Sequence, residues 1–201
     1  MLRIDALSAA YDDIADCAVV TIMGAVAAEL YSLGHRSNFF YLEHAMGLAS
    51  SVGLGIALAQ PDRRVVVIDG DGSVLMNLGG LTTLARYAPP NLTHVVFDNE
   101  SLLSVGGFPT ATSTGSDLAA IARGAGIGDA VTVSDVDEFA EGVRKRVSAA
   151  DHLSCVVAKV DAVGPKSFHM DLHLLENRFE FARALRRPEE PTMEEGAHPK
   201  P

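Results

Sequence analysis

Short apolar runs alternate along the chain with longer stretches of helical periodicity. Runs rich in β-branched residues and bounded by turn residues predict buried strands, and apolar residues that recur every three or four positions predict amphipathic helices. Strands are predicted at 17–22, 39–42, 64–69, 92–99, 131–135 and 153–160, and helices at 2–16, 24–33, 45–60, 74–87, 117–125 and 137–149. Because the strands are apolar on both faces, this alternation predicts an α/β fold, a doubly wound, mainly parallel sheet with helices on both faces.

Two segments interrupt the alternation. Residues 100–116 (ESLLSVGGFPTATSTGS) form a longer connection than the fold needs, and loops of this length in compact domains are usually functional, so an active-site loop is predicted. Residues 188–201 are rich in Pro and Glu and contain few apolar side chains, which predicts a disordered tail. A single domain over 1–187 is therefore expected.

Composition and charge restrict the classes of function. The 201 residues are 48% hydrophobic, which is typical of a globular chain, and the net charge of −10 with dispersed Lys and Arg argues against nucleic acid as a partner. Cys17 and Cys155 lie in separate apolar runs, so reduced, buried thiols and a cytoplasmic location are expected. Acidic residues interrupt the N-terminal segment and no run is long enough to span a bilayer, so neither a signal peptide nor a membrane association is expected.

The stretch VVVIDGDGS (65–73) places two carboxylates, Asp69 and Asp71, where a buried strand is predicted to end. Ligands of open parallel sheets bind outside the carboxyl ends of the strands. Gly70 and Gly72 allow the backbone to turn sharply and to approach a ligand closely. The stretch is therefore a candidate binding site.

The next predicted strand ends in Asn99, which would lie beside Asp71 if the two strands are neighbours. Carboxylate and amide oxygens suit Mg²⁺, which binds few protein groups and completes its octahedron with phosphate oxygens and water. Ser73 can donate to a phosphate at the start of the following helix. The pattern thus predicts Mg²⁺ together with a diphosphate.

Two other interpretations of the same residues remain open at this point. Gly-Asp-Gly is a common turn and Asp-Asn often caps a loop, without any ligand. The stretch also approximates the nucleophile motif of haloacid-dehalogenase-like phosphatases, in which Asp69 would be phosphorylated and Asp71 would act as general acid and base in a Mg²⁺-dependent phosphatase. That motif usually opens the chain, whereas here a long segment precedes it.

A wider set of residues resembles a known family. GDGS (70–73) with the downstream pair Asp98-Asn99 resembles the thiamine-diphosphate signature GDG…NN, with Asp98 in place of the first Asn. The segments 40–85 and SVGGFPT (104–110) are similar to the diphosphate-binding half of the sulfopyruvate and phosphonopyruvate decarboxylases, and the similarity extends over about residues 1–187. The resemblance implies thiamine diphosphate and Mg²⁺ as cofactors, and decarboxylation of a small 2-oxo acid.

The resemblance also assigns residues. It implies that Asp71 and Asn99 bind Mg²⁺ together with the backbone carbonyl of Ser101, and that the diphosphate is held by Gly70, Gly72 and Ser73. Met46 would support the bent cofactor from below, whereas without the resemblance ordinary core packing is the favoured explanation of this methionine. The backbone carbonyl of His44 would accept a hydrogen bond from the cofactor amine, and its imidazole is either a catalytic proton donor or structural.

The same resemblance implies a partner. In related enzymes a glutamate from a separate pyrimidine-binding domain activates the cofactor, and this chain is too short to contain that domain, so a separate alpha subunit is expected to supply it. The substrate is left open, because only His35, Arg36 and His44 are basic near the expected site and a sulfonate or phosphonate needs cationic donors. A third hypothesis is a catalytically inert, regulatory cofactor-binding domain.

Overall fold

A parallel sheet forms the centre of the protein in a computed structural model that describes residues 1–186. Within those residues its six strands are β1 (Ala18–Thr21), β2 (Phe39–Tyr41), β3 (Val65–Gly70), β4 (Leu92–Asp98), β7 (Asp129–Val133) and β8 (Ser154–Lys159). They lie in the order β2-β1-β3-β4-β8-β7, and every neighbouring pair is parallel. A separate antiparallel hairpin pairs β5 (Ser101–Leu102) with β6 (Phe108–Pro109).

Helices cover both faces of this sheet. They are α1 (Arg3–Ile14), α2 (Ala25–Leu33), α3 (Ala49–Ala59), α4 (Asp71–Met76), α5 (Gly79–Tyr87), α6 (Leu118–Ala125), α7 (Val136–Ala149) and α8 (Leu174–Leu185). One layer is formed by α1 with α2 and α7, and the other by α3, α5 and α6. Every residue of β4 is buried as a result. The predicted doubly wound α/β fold is confirmed.

The strand order places a crevice between β1 and β3. From β1 the chain passes to β2 on one side and then crosses to β3 on the other side. The connections therefore leave β1 and β3 in opposite directions, and such a switch point opens at the carboxyl ends of the strands. This is where the stretch that follows β3 lies.

The outer edge of β2 is covered by a side chain of α8. Asn177 is fully buried, its Nδ2 donates to the Phe39 carbonyl over 2.8 Å and its Oδ1 accepts from the Tyr41 N–H over 3.1 Å. These are the backbone groups that β2 does not use in pairing with β1. The amide therefore takes the place of a further strand at that edge.

Several element boundaries differ from the sequence prediction. The helix predicted at 45–60 begins only at Ala49, because His44 and Gly47 have positive φ angles of 51° and 83°. The helix predicted at 74–87 is two helices, α4 and α5, because Asn77 leaves the helical conformation with φ −145°. The strand predicted at 131–135 runs over Asp129–Val133.

Other segments contain structure that the pattern did not predict. Helix α8 was not predicted from periodicity, and the predicted loop 100–116 contains the β5–β6 hairpin and two 3₁₀ turns, Leu103–Val105 and Ala111–Thr114. The predicted disordered tail, 188–201, lies outside the described residues, as does the C-terminal limit of the predicted domain at 187. Over residues 1–186, no helix combines the length and apolar character needed to cross a membrane.

Candidate functional site

A cleft opens where β1, β3 and β4 end. Its walls come from the segments that follow each of these strands, together with the β5 hairpin and residues of α1 and of the turn before α3. Among its lining residues are all of the predicted cofactor and metal residues except His44, namely Met46, Gly70, Asp71, Gly72, Ser73, Asn99 and Ser101. The structure thus brings together residues that are spread over 56 positions of the chain, from 46 to 101.

The two predicted metal-binding side chains come from neighbouring strands. β3 and β4 pair in parallel, with Gly70 opposite Phe97. Asp71 follows the first of these residues by one position and Asn99 follows the second by two. Both line the cleft, as predicted from the expectation that the two strands are adjacent.

Asp71 is a buried carboxylate held by hydroxyl groups. It is 2% exposed, and its Oδ2 accepts a hydrogen bond from Thr110 Oγ1 over 2.5 Å, with Thr112 Oγ1 at 3.3 Å. Burial raises the pKa of the Asp71 carboxyl, the hydrogen bond from Thr110 lowers it in part, and the charge of Asp98 raises it further. A cation bound at this position would offset both the cost of burying the Asp71 charge and its repulsion by Asp98.

The position of Met46 is fixed by α4. Ser73 Oγ accepts a hydrogen bond from the Gly47 N–H over 2.9 Å, and Asn77 Nδ2 donates to the Gly47 carbonyl over 2.8 Å. Gly47 has φ +83°, and a Cβ there would lie 2.8 Å from Asn77 Cβ, so only glycine fits the turn. Ser73 therefore holds the turn that presents Met46 to the cleft, and its own hydroxyl proton remains to be donated.

Gly72 allows the β5 hairpin to approach α4. A Cβ at Gly72 would lie 2.2 Å from Leu102 Cδ2, which is far inside carbon contact distance. The absence of a side chain thus lets Leu102 pack directly against the backbone of this turn. The resemblance had assigned Gly72 only to the diphosphate.

His44 lies outside the cleft. Its imidazole is 81% exposed, and its backbone N–H contacts Met23 Sδ at 3.0 Å. The side chain lines a neighbouring apolar groove that includes Phe168 and Met170. Met23 lines both the groove and the cleft, so His44 is beside the cleft without forming part of its wall. Its predicted catalytic role stays a prediction.

The basic residues near the cleft are not those expected. His35 Nε2 pairs with Glu180 at 3.0 Å and Arg36 Nε donates to Tyr11 Oη, and neither residue lines the cleft. Arg3 does line it.

Arg3 is 5% exposed, and its Nε donates to Glu29 Oε2 over 2.7 Å. Sequence reasoning missed this residue, although a signal was present. Arg3 occupies the first position of the buried stripe of α1, which continues through Ala6, Leu7, Ala10 and Ile14. A charge at the start of an apolar stripe indicates a buried ion pair.

The position of Asp69 does not fit the phosphatase interpretation. Asp69 is 1% exposed and is not among the residues that line the cleft. Its Oδ1 accepts from the Gly70 N–H over 3.0 Å, and its Oδ2 lies 3.6 Å from Nε2 of the buried His94. A nucleophile that becomes phosphorylated must reach its substrate, whereas this carboxylate is buried beside His94 of β4.

The residues of the cleft fit magnesium and a diphosphate. Asp71 and Asn99 supply hard oxygen atoms, and the Ser101 carbonyl belongs to the hairpin beside them. The buried charge of Asp71, next to a second carboxylate, is the environment that a divalent cation stabilises. Thiamine diphosphate bound together with Mg²⁺ would supply such a cation and a diphosphate.

Comparison with protein families gives the same cofactor. Residues 20–158 match the family model described as thiamine pyrophosphate enzyme, C-terminal TPP binding domain. The chain is 35% identical over 169 residues to the sulfopyruvate decarboxylase subunit beta of Methanocaldococcus jannaschii, covering 84% of this chain and 88% of that protein. It is 40% identical over 153 residues to the phosphonopyruvate decarboxylase of Streptomyces viridochromogenes, covering 74% of this chain and 38% of that protein.

Solved structures agree on the fold. The benzoylformate decarboxylase of Polynucleobacter necessarius superposes with a TM-score of 0.67 over 82% of this chain at 18% identity. The chain spans about a third of that protein, 34% of its length. At this identity the likeness concerns the architecture alone, while the family model covers more than half of the chain and includes the cleft residues from β3 and β4. The chain belongs to the family of thiamine pyrophosphate enzymes and contains their C-terminal thiamine pyrophosphate-binding domain.

Proposed function

We propose that this protein is the cofactor-binding subunit of a split, thiamine-diphosphate- and Mg²⁺-dependent decarboxylase that acts on a small 2-oxo acid. The observation that carries the proposal is the meeting of Asp71 and Asn99 in one cleft at the ends of adjacent strands. The similarity to decarboxylases over most of the chain supports it.

Each cleft residue has a role in this proposal. Asp71 and Asn99 bind Mg²⁺ through side-chain oxygens, and Ser101 binds it through its backbone carbonyl. Ser73 donates its hydroxyl proton to the diphosphate, which the backbone of Gly70 and Gly72 approaches closely. The support for Ser73 is its position between the metal-binding turn and the turn that carries Met46.

Thiamine diphosphate supplies the electron sink that accepts the bonding electrons when a 2-oxo acid loses carbon dioxide. The protein's own contribution is placement and exclusion of water. Met46 is half-buried and packs against the hydrophobic core, so it offers a fixed apolar surface to a bound ring. Ile22, Met23 and Val26 extend this apolar wall on the side of β1. In a low-dielectric cleft, the charges that remain act on each other more strongly.

His44 is our candidate for proton delivery. Its imidazole is exposed at a turn next to the cleft, and imidazole is a common general acid in enzymes. The positive φ of 51° turns the backbone at this residue and thereby orients its carbonyl, which we assign to the cofactor amine. The substitution His44→Gln is expected to lower kcat and to leave cofactor binding unchanged.

A second subunit completes the proposed enzyme. Relatives that match most of this chain are named beta subunits, a name that implies a separate alpha subunit. We assign to that partner the glutamate that activates the aminopyrimidine ring. The cofactor then lies between the two subunits, with its diphosphate end on this chain.

The proposed substrate is a 2-oxo acid similar to sulfopyruvate or phosphonopyruvate. These two compounds appear in the names of two relatives. The additional anionic group of such substrates needs a cationic partner. Within the described part of the chain, Arg3 is the basic residue of the cleft wall, and Glu29 neutralises it. The partner subunit is therefore expected to provide the remaining positive charge.

Titration calorimetry tests the cofactor assignment. The full chain is titrated with thiamine diphosphate, with and without Mg²⁺, alongside Asp71→Asn and a control, Glu141→Gln, whose charge lies exposed on α7. Saturable, Mg²⁺-dependent binding is expected for the wild type and the control. Asp71→Asn removes the negative charge of a metal ligand and is expected to weaken binding about tenfold or more. Unchanged binding by Asp71→Asn would contradict the proposal.

Turnover separates the decarboxylase from the inert regulatory domain. Together with its partner subunit, the chain is expected to release carbon dioxide from sulfopyruvate, phosphonopyruvate or pyruvate. A complex that binds thiamine diphosphate and releases none from any 2-oxo acid would favour the regulatory interpretation.

A further inference from the structure

Two threonine hydroxyls lie between the carboxylates at the ends of β3 and β4. Thr110 Oγ1 is 2.5 Å from Asp71 Oδ2, and Thr112 Oγ1 is 2.7 Å from Asp98 Oδ1. The two hydroxyl oxygens are 2.8 Å apart. All four residues are buried, with exposures of 2–6%. Their oxygen atoms form a continuous row of close contacts, which we name the threonine bridge.

The strength of the available acceptors decides to which oxygen each hydroxyl of the bridge donates its proton. Each hydroxyl has one proton, and a carboxylate is a stronger acceptor than another hydroxyl. The short distance assigns the proton of Thr110 to Asp71, and the proton of Thr112 then goes to Asp98. One oxygen of Asp71 is thereby held in place, which restricts the rotation of its carboxylate within the cleft.

The second carboxylate is neutralised from another strand. Lys159 Nζ, at the end of β8, lies 2.9 Å from Asp98 Oδ2 and 2.6 Å from Glu100 Oε1. Partial burial lowers the pKa of the Lys159 ammonium, but the hydrogen bonds to Glu100 and Asp98 together raise it above its ordinary value, so the ammonium stays charged. Asp98 therefore has its own cation, and Asp71 remains for the metal.

The hairpin that carries Ser101, one proposed metal ligand, also sets the position of Thr110. Ser101 pairs with Pro109 across β5 and β6, and the Thr110 N–H donates to the Glu100 carbonyl over 3.0 Å. Closing the hairpin thus places Thr110 at its base, one residue beyond the position opposite Ser101. The Ser101 carbonyl and the hydroxyl that holds Asp71 are set by the same backbone pairing.

We propose that Thr110 is a positioning residue that orients Asp71 as a metal ligand, and that Thr112 and Lys159 keep Asp98 engaged apart from the metal. This inference rests on the proposed function, in which Asp71 binds Mg²⁺. Groups that hydrogen-bond to metal ligands orient them and affect metal affinity strongly. Thr110 is such a group, because its hydroxyl donates to the oxygen Oδ2 of Asp71.

Binding of Mn²⁺ as a spectroscopic probe tests the inference without turnover. The full chain is titrated with Mn²⁺ at a fixed concentration of thiamine diphosphate, alongside a blank that contains thiamine diphosphate without protein. The electron paramagnetic resonance signal of free Mn²⁺, corrected by this blank, gives the dissociation constant. Thr110→Val keeps the methyl group and removes the hydroxyl, and it is expected to weaken Mn²⁺ binding about tenfold or more. Thr110→Ser keeps the hydroxyl and is expected to restore most of the affinity, a rescue that a role in packing alone would not give.

A matched control lies in the same loop. Thr114 is exposed and its hydroxyl donates to the Ala111 carbonyl over 3.2 Å, so Thr114→Val is expected to bind Mn²⁺ like the wild type. Circular dichroism verifies the fold of each variant. If Thr110→Val does not fold, Thr112→Val replaces it, with weaker Mn²⁺ binding expected because the bridge loses its second hydroxyl.

The variant Asp71→Asn separates the two proposals. If it loses Mn²⁺ binding while Thr110→Val binds like the wild type, the threonine bridge has no positioning role and the proposed function stands. If Asp71→Asn itself binds like the wild type, the metal assignment is wrong and the inference is overturned with it.

Discussion

Two glycines of α3, two residues apart, are expected to respond oppositely to substitution by alanine. Gly53 faces the sheet, and an ideal Cβ there lies 2.1 Å from Cγ2 of Val67. Gly55 is exposed and has no atom within 4 Å of such a Cβ. The pair therefore separates packing from helix propensity within one helix.

The magnitude follows from the contact distance. Carbon atoms pack at about 3.5–4.0 Å, so a Cβ at Gly53 is short of contact distance by about 1.5 Å. Val67 is fully buried in the central strand β3 and its side chain has little rotamer freedom, so the helix has to move. Overpacking of this kind costs about 1–3 kcal/mol, and the gain in helix propensity from alanine offsets about 0.5–1 kcal/mol.

Because the overlap is severe, the upper part of this range applies, about 2–3 kcal/mol, and Gly53→Ala is expected to lower the free energy of unfolding by about 1–2.5 kcal/mol. Gly55→Ala is expected to raise it by about 0.5–1 kcal/mol. Urea and thermal unfolding followed by circular dichroism measure the difference between the two variants, about 2–3 kcal/mol, which corresponds to about 4–12 °C in Tm for a domain of this size. If Gly53→Ala is as stable as Gly55→Ala, α3 does not approach β3 as closely as described and the reasoning is refuted. Because α3 follows the turn that carries Met46, Gly53→Ala is also expected to weaken cofactor binding.

Two further predictions concern buried polar and thiol groups. Asn177→Ala removes both hydrogen bonds to the edge of β2 and is expected to lower the free energy of unfolding by about 2–4 kcal/mol, measured by urea denaturation; a loss below about 0.5 kcal/mol would show that the edge does not depend on this amide. Cys17 and Cys155 are buried free thiols, as predicted, and burial raises the pKa of Cys17 to about 11 and that of Cys155 to about 12. Because the thiolate is the reactive form, neither thiol of the native protein is expected to react with a disulfide reagent at pH 8, whereas both react in denaturant. Rapid labelling of the native chain would contradict the burial.

The sequence was sufficient for the fold and for the position of the turn to which we assign metal binding, because both depend on local patterns. The run 65–70 is apolar and ends in Asp-Gly, and a parallel α/β arrangement leaves few places for that turn. Adjacent strands then bring Asn99 beside Asp71. The placement of Asn99 needed only the assumption that consecutive strands pair.

The remaining features depend on contacts between distant segments, which no local pattern contains. Asn77 ends α4 early because its side chain bonds to Gly47, and Asn177 lies 138 positions from the carbonyl of Phe39 to which it donates. Thr110 was within the predicted active-site loop, yet its bond to Asp71 depends on how the hairpin closes. These residues are polar in segments of ordinary composition, so their partners become evident only in three dimensions.

The amide of Asn177 also affects how molecules of this protein can associate. An unpaired outer strand offers its backbone to strands of other molecules and so promotes aggregation. At β2 the carbonyl of Phe39 and the N–H of Tyr41 are already occupied within the same chain. Sheet extension from one molecule to the next is therefore closed at this margin, and a neighbouring subunit that docks there meets side chains instead of open backbone.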